Sequence, residues 1–221
     1  MSVRIAPSLL AADFANIAHE VGDVVRAGAD LLHLDIMDGH FVPNLTFGPP
    51  VVRHLARHCT IPMDAHLMVS NPDPLVPALA EAGVARVSVH VEAALHLHKT
   101  LASIREGGMS AGIAINPATA LSSLEDALPF ADFILVMGVN PGFGGQAFIP
   151  ESIHKVERLR ALIGGPSMDI SVDGGVDAQN ASALIAAGVT TLIAGSAIFG
   201  AEDRRRAVAE LRKCAPEMES C

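Results

Sequence analysis

The sequence predicts a single (β/α)8 barrel, an α/β fold, and three observations lead to this class. Short apolar runs alternate with Ala-rich stretches of helical character along all 221 residues. There are eight such pairs and no ninth strand, and eight units close a barrel. Polar residues follow the ends of many different strands, whereas the alternative fold, a doubly wound sheet, would concentrate them at one switch point.

The eight predicted strands alternate with eight predicted helices in regular order. Several helices end in glycine, as at Gly28, Gly83 and Gly188, where a left-handed residue caps the helix before the next strand. No Pro/Ser-rich linker or run of charge divides the chain, so we expect one domain over residues 1–221. The predicted strands are 3–7, 31–37, 63–68, 86–90, 111–116, 133–137, 169–173 and 191–195, and the predicted helices are 14–27, 50–58, 74–82, 95–106, 120–127, 151–163, 178–187 and 203–214.

Composition narrows the classes of partner. Half of the residues are hydrophobic, and the net charge of −9, with no long Lys/Arg-rich segment, argues against nucleic acid as a partner. An anionic small substrate stays open, because backbone amides bind phosphate without net positive charge. No apolar run reaches the roughly 18 residues of a membrane span, so we expect no membrane partner and a cytoplasmic protein. The odd number of cysteines favours reduced thiols; Cys59, Cys214 and Cys221 are widely spaced, and the last two are expected to be inert.

The second predicted strand carries an imidazole and a carboxylate two residues apart. Because side chains alternate along a strand, His33 and Asp35 point to one face and Leu32, Leu34 and Ile36 to the other. Polar groups inside a buried parallel strand are costly unless they are paired or hold an ion. This strand therefore indicates a functional site.

The same pattern recurs at two later strands, which end in His66 and in Asp173. In a barrel these strand ends converge on one mouth, so residues distant in sequence can share a site. Two imidazoles and two carboxylates suit one borderline divalent cation, namely zinc, iron(II), cobalt or manganese.

Three glycine-rich loops indicate a phosphate site. They follow the sixth, seventh and eighth predicted strands, and in barrels the loops of the last strands commonly hold phosphate. Glycines let backbone N–H groups approach the phosphate oxygens closely. The loops contain Gly142, Phe143, Gly144 and Gly145, then Gly174 and Gly175, then Gly195 and Ser196.

Two carboxylates, a cation and a phosphate anchor fit proton abstraction next to a carbonyl of a phosphosugar. A general base alone contributes about 3–5 kcal/mol, whereas enzymes usually lower a barrier by about 8–23 kcal/mol. A Lewis-acid cation supplies the missing stabilisation of the enediolate. Asp35 and Asp173 lie on separate strands, so one could remove a proton and the other return it to the opposite face, which is epimerisation.

At these motifs the sequence resembles the ribulose-phosphate 3-epimerase family over nearly its whole length. The resemblance implies a barrel of the ribulose-phosphate-binding type and a reaction between D-ribulose 5-phosphate and D-xylulose 5-phosphate at C3, in the pentose phosphate pathway or a related route. Several motifs in the family's order carry it, at residues 5–8, 32–44, 64–69, 116–119, 140–146, 172–175 and 195–199.

The resemblance also implies roles for individual residues. His33, Asp35, His66 and Asp173 would hold the metal, and Asp35 and Asp173 would be the acid/base pair. Ser8 and His66 would contact the substrate, beside the glycine-rich loops that hold its phosphate. The methionines expected to line the site are Met37, Met68 and Met137, which would keep it dry.

The sequence leaves several alternatives open. Gly138 stands where the family usually has Ser or Thr, so a D-allulose-6-phosphate 3-epimerase is the second hypothesis. A phosphate-binding barrel decarboxylase is less favoured, because that group typically carries an Asp-x-Lys-x-x-Asp motif, and Met37 stands here two positions after Asp35. A non-catalytic barrel would have lost an acid/base carboxylate, whereas both Asp35 and Asp173 are present. His90 is either a neighbour of the site or a packed residue, and Asp38 is interpreted as a loop cap. We also expect a homo-oligomer through apolar outer helices.

Overall fold

The computed structural model describes residues 3–214; Cys221 and the rest of 215–221 lie outside the described residues. Eight parallel strands form one sheet in the order β1-β8-β7-β6-β5-β4-β3-β2, which confirms the predicted barrel. The largest difference from the predicted bounds is at β5, which begins and ends one residue earlier than expected. The strands are β1 Arg4–Pro7, β2 Leu32–Met37, β3 Met63–Met68, β4 Arg86–His90, β5 Ser110–Ile115, β6 Phe133–Met137, β7 Asp169–Asp173 and β8 Thr191–Ala194.

The barrel is nearly closed, with a seam between β1 and β2. Within the described chain, strand pairing across this seam is a single isolated bridge between Ser8 and His33. Below it, the amide of Asp30 donates to the carbonyl of Ile5 over 2.9 Å, and the Asp30 carboxylate accepts from the amide of Ile5 over 2.8 Å. Every other pair of neighbouring strands has a regular parallel ladder.

Helices follow most strands and cover the outside of the barrel. No helix among residues 3–214 is both long and apolar enough to cross a membrane. A four-residue helix after β8 was not among the predicted elements. The α-helices are α1 Ile17–Arg26, α2 Pro49–Leu55, α3 Val76–Glu81, α4 Leu97–Glu106, α5 Glu151–Ile163, α6 Ala181–Ala186, α7 Ser196–Phe199 and α8 Arg204–Lys213.

The predicted helix at 120–127 is wrong. Short 3-10 helices at Leu121–Ser123 and Leu128–Phe130 stand there instead. The Lys155 ammonium, on α5, donates to three backbone carbonyls of the segment just before, those of Asn116, Pro117 and Thr119. These carbonyls are held in a loop by a residue almost 40 positions away, a contact that local sequence cannot reveal.

The strands separate two different packing regions. Outward residues such as Leu34, Leu67 and Ile113 are fully buried against the helices and form the main apolar core. Inward residues are mixed: a small apolar cluster that includes Ala114, Leu135 and Ile193 fills part of the barrel, and polar side chains fill the rest. The alternation expected for β2 is therefore present around the barrel.

A buried guanidinium organises the polar interior. The Arg86 side chain donates to Asp64 over 3.1 Å and to Ser171 over 2.9 Å, and it lies 3.7 Å from the centre of the Phe133 ring. A buried charge is tolerated only when it is paired and hydrogen-bonded, and these partners meet that condition. The Asp64 carboxylate also accepts from the His33 ring over 2.9 Å, so this layer supports the strand ends above it.

We expect Gly112→Ala to destabilise the barrel by about 1–3 kcal/mol, because an extra methyl group overpacks the interior. A Cβ on Gly112 would lie only 2.2 Å from the nearest ring carbon of Phe133. Urea unfolding of the variant would measure the loss. The double variant Gly112→Ala/Phe133→Leu should recover part of it, and equal stability of Gly112→Ala and the wild type would contradict this packing.

Candidate active site

Four buried side chains meet at the carboxyl ends of three strands. His33 and Asp35 come from β2, His66 from β3 and Asp173 from β7. One potential ligand atom from each lies within 4.8 Å of the other three. Both imidazoles are fully buried, and Asp35 and Asp173 are buried as well. The structure therefore brings together the four residues expected to hold a metal.

The distances show that two nitrogens face the same two carboxylates. Nε2 of His33 lies 3.5 Å from Oδ1 of Asp35 and 3.9 Å from Oδ2 of Asp173. Nδ1 of His66 lies 3.3 Å and 3.8 Å from those same oxygens. Within residues 3–214, the buried Nε2 of His33 has no hydrogen-bond partner. The site thus offers two nitrogen and two oxygen donors, and one of the nitrogens is the unpaired Nε2 of His33. Such a donor set fits a divalent cation such as zinc.

The surroundings move the pKa values of the two carboxyl groups apart. Burial raises the pKa of Asp173, and the negative charge of Asp35 raises it further. Burial also disfavours the charged form of Asp35, but His33 and His66 outweigh this effect and lower its pKa. A pair of acids with opposite pKa shifts is typical of a site in which one group is a base and the other an acid.

The pKa values of the two histidines are also shifted in opposite directions. Burial lowers the pKa of His66, which favours the neutral ring. Burial has the same effect on His33, but Asp35 and Asp64 outweigh it, so the pKa of His33 is raised. A neutral imidazole is the form that ligates a metal, and a cation bound at Nε2 would replace the proton on His33.

A pocket opens above the four side chains, and Asp35 and Asp173 lie in its wall. The hydroxyl of Ser8 donates to Oδ2 of Asp35 over 2.6 Å, which orients that carboxylate. His33 and His66 are not in the pocket wall. The other sequence-predicted site residues all line it: Ser8, Met37, Met68, Met137, Gly142, Phe143, Gly144, Gly145, Gly174, Gly175, Gly195 and Ser196.

The glycine-rich loops have the backbone that the sequence predicts. Gly142 and Gly174 have φ values of 124° and 100°, which side chains other than glycine rarely adopt. The Gln146 amide donates to the carbonyls of Asn140 and Phe143, so the first loop is held from inside.

Gly138 allows two of these loops to pack closely together. Its amide donates to the carbonyl of Asp173 over 2.6 Å. A Cβ at Gly138 would lie 2.4 Å from the carbonyl oxygen of Gly174 and 2.7 Å from a ring carbon of Phe148. The residue that departs from the family's usual Ser or Thr is therefore in direct contact with the backbone of a site residue.

Sequence reasoning missed several residues that support the site. Asp64 holds the ring of His33, and Glu92 holds that of His90 over 3.0 Å. The side-chain amide of Asn44 donates to the carbonyl of Gly142 over 2.9 Å and joins the loop after β2 to the first glycine-rich loop. Asp64 had a signal in the sequence, since it precedes His66 by two positions on the same inward face. Glu92 also had a local signal, because it follows His90 by two positions, whereas Asn44 contacts a loop 98 positions away and gave none.

Asp38 is the loop cap that the sequence indicates, and it gives a stability effect that depends on pH. It accepts from the amides of His40, Phe41 and Ser70 over 2.7–2.9 Å. Burial would raise the pKa of Asp38, but these bonds outweigh it and lower the pKa from 3.8 to about 2. A carboxylate whose pKa is depressed stabilises the fold above the unfolded pKa and loses that effect as the pH falls through the folded one.

We therefore expect Asp38→Asn to cost most stability near pH 6 and less at pH 3. Urea unfolding of the variant and the wild type at both pH values measures this difference. A difference that stays constant between pH 6 and pH 3 would show that the Asp38 charge has no part in holding the loop.

Comparisons with known proteins agree with this fold. The model of the ribulose-phosphate 3 epimerase family matches residues 4–199. A ribulose-phosphate 3-epimerase of Bacillus subtilis is 44% identical over 213 residues, covering 95% of this chain and 98% of that protein. One of Mycobacterium leprae is 48% identical, covering 96% and 95%. The crystal structure of KGPDC from Streptococcus mutans covers 97% of each chain with a TM-score of 0.75; at 14% identity it supports the fold alone.

Fold, site and relatives together define an isomerase built on a (β/α)8 barrel with a buried His/Asp cluster at its mouth. More particularly, the chain belongs to the ribulose-phosphate 3-epimerase family. The family resemblance of the sequence motifs is thereby confirmed, as is the expectation of an epimerase.

Proposed function

We propose that this protein is a metal-dependent epimerase that interconverts D-ribulose 5-phosphate and D-xylulose 5-phosphate by inversion at C3. The observation that carries the proposal is the pair of buried carboxyl groups, Asp35 and Asp173, whose pKa values are shifted in opposite directions beside one pocket. Membership of the family and the names of the similar proteins support the choice of substrate.

The two carboxyl groups would act as base and acid on opposite faces of the substrate. Asp35, held by the Ser8 hydroxyl, is the ionised group and would remove the C3 proton in one direction. Asp173, whose raised pKa favours the protonated form, would return a proton to the other face. In the reverse direction the roles exchange. Delivery from the opposite side inverts the stereocentre.

His33, Asp35, His66 and Asp173 would hold the cation, which is zinc, iron(II), cobalt or manganese. When bound, such a cation stabilises negative charge that develops on oxygen next to C3. The chain itself supplies the dry surroundings, because Met37, Met68 and Met137 lie along the pocket beside the carboxylates.

The glycine-rich loops after β6, β7 and β8 would bind the phosphate. They line the same pocket as Asp173, Met37 and Met68. Gly174 and Gly175 have positive φ, and without side chains their backbone N–H groups can approach an anion closely. With the phosphate anchored at these loops, the ketopentose would extend toward Asp35.

A hexose 6-phosphate, D-allulose 6-phosphate, is the second candidate substrate. The observation that favours it is Gly138, which replaces the usual Ser or Thr and contacts the backbone of Gly174. The mechanism would be unchanged, and only the length of the sugar would differ.

The test is a C3-epimerisation assay with both sugar phosphates in D2O, before and after chelation. The two-base mechanism requires deuterium at C3 of the product. Metal dependence requires that turnover is lost on chelation and restored by adding a single divalent metal. We expect His33→Ala to lose metal on dialysis, which elemental analysis would show. Faster turnover of the hexose phosphate would make it the preferred substrate. Turnover that withstands complete metal removal would refute the metal-dependent mechanism.

A further inference from the structure

The two ring nitrogens of His66 face different surroundings. Nδ1 faces the carboxylates of Asp35 and Asp173, whereas Nε2 lies 2.9 Å from Nε2 of His90. His90 in turn places its Nδ1 3.0 Å from Oε2 of Glu92. Both imidazoles are fully buried. We call His66, His90 and Glu92 the imidazole relay.

Nδ1 of His66 lies 3.3 Å from Oδ1 of Asp35, so a proton could occupy that nitrogen when no cation is bound. With a cation in place of that proton, hydrogen-bond accounting from the Glu92 end gives the protons along the relay. An ionised carboxylate only accepts, so Nδ1 of His90 must donate to Glu92. A neutral His90 then has its lone pair on Nε2 and accepts from Nε2–H of His66. A neutral His66 that carries its proton on Nε2 has its lone pair on Nδ1, the nitrogen that faces Asp35 and Asp173.

The Glu92 carboxylate is itself fixed by backbone and side-chain donors. Its Oε1 accepts from the amide of Asn116 over 2.8 Å and from the hydroxyl of Thr119. The Lys155 ammonium binds the carbonyls of both these residues, over 2.8 Å and 2.6 Å. Both carboxylate oxygens are thus occupied, and Glu92 cannot turn away from His90 without leaving a donor unpaired.

We propose that Glu92, acting through His90, is a positioning residue that holds His66 in its Nε2–H tautomer and so presents the Nδ1 lone pair to the metal cluster. This inference rests on the proposed metal site. His33 shows the direct form of the same device: Asp64 accepts from its Nδ1 over 2.9 Å and leaves Nε2 free toward the cluster. Partners of this kind fix the tautomer and the orientation of a metal-binding histidine.

The first test reads the tautomers directly. Nitrogen-15 NMR of the zinc-loaded full chain, with labelled histidine, distinguishes protonated from unprotonated ring nitrogens. We expect His66 to carry its proton on Nε2 and His90 on Nδ1. The reverse assignment, His90 protonated on Nε2, would overturn the proposal. Neither outcome depends on turnover, so this test and the epimerisation assay can fail separately.

The second test uses zinc affinity in matched variants. His90→Gln keeps an acceptor for His66, whereas His90→Leu removes it, and Glu92→Gln removes one of two required acceptors. We expect His90→Leu and Glu92→Gln to weaken zinc binding by about 10–100-fold, the range for loss of such partners. The zinc affinity of His90→Gln should be closer to that of the wild type. The control variant Glu125→Gln, at an exposed position, should bind zinc as tightly as the wild type.

Melting curves of the metal-free variants separate this role from packing. If the relay were only packing, the two His90 variants would differ in stability but not in zinc affinity, and that result would overturn the proposal. Should His90→Leu fail to fold, Glu92→Gln still decides: wild-type zinc affinity together with an unchanged His90 tautomer would refute the relay.

Discussion

Replacement of Asp173 by Asn is expected to lower kcat by about 10²–10⁴-fold, the contribution of general acid–base catalysis, while the barrel stays folded. Asn has nearly the same shape but cannot hold or release the proton, and it is a poorer metal ligand. Asp173 lies at the end of β7 in the pocket wall, where its raised pKa favours the protonated form. Turnover of D-ribulose 5-phosphate by the purified variant measures the loss.

A matched control is Asp169→Asn, at the start of the same strand. Asp169 pairs with Arg4, and its side chain is 40% exposed at the far end of the barrel. This variant makes the same Asp-to-Asn change in β7 but should keep near-native turnover. Asp173→Asn with native activity would eliminate the two-base mechanism, and equal losses in both variants would point to damage of the strand.

The replacement of Arg86 by Met is expected to have the largest effect on stability, a loss of about 3–5 kcal/mol. The variant would leave the Asp64 carboxylate, 1% exposed, without its cationic partner inside the barrel. Ser171 would lose its donor as well. For a chain of this size each kcal/mol lowers Tm by about 2–4 °C, so scanning calorimetry resolves the effect easily.

Two further variants test the cause. Arg86→Lys keeps the charge but loses the planar guanidinium over Phe133, so its loss should be intermediate. Asp64→Asn combined with Arg86→Met removes the unpaired charge and should be more stable than Arg86→Met alone. If the double variant is the less stable of the two, the Asp64 charge is not the source of the loss.

The fold and the four buried site residues could be predicted because strand periodicity is local. An inward His or Asp in an otherwise apolar strand, as at His33, Asp35 and Asp173, stands out against its neighbours. The convergence of strand ends follows from the barrel, and so the grouping of these residues needs no long-range contact to be known. Their catalytic and metal-binding roles remain predictions.

What could not be predicted depends on pairs distant in sequence. Lys155 holds the loop that follows β5 through contacts with Asn116 and Pro117, almost 40 positions away. His90 could not be assigned from sequence, because its role depends on contact with His66 on a different strand. Local patterns show which face of a strand a side chain occupies, whereas its partners on other strands can be named only when the strand register is known.

The seam between β1 and β2 has a consequence for how the site moves. A barrel edge held by one bridge opens at lower free energy than an edge with a full ladder. Both residues of that bridge, Ser8 and His33, adjoin the candidate site, so opening of the seam would loosen the contact of Ser8 with Asp35. We expect the amides of Asp30 and Leu31, which donate across the seam, to exchange with D2O faster than those of β4. A ligand that contacts both β1 and β2 should slow this exchange. The rigidity of the site would then depend more on the bound ligand than on backbone pairing between the two strands.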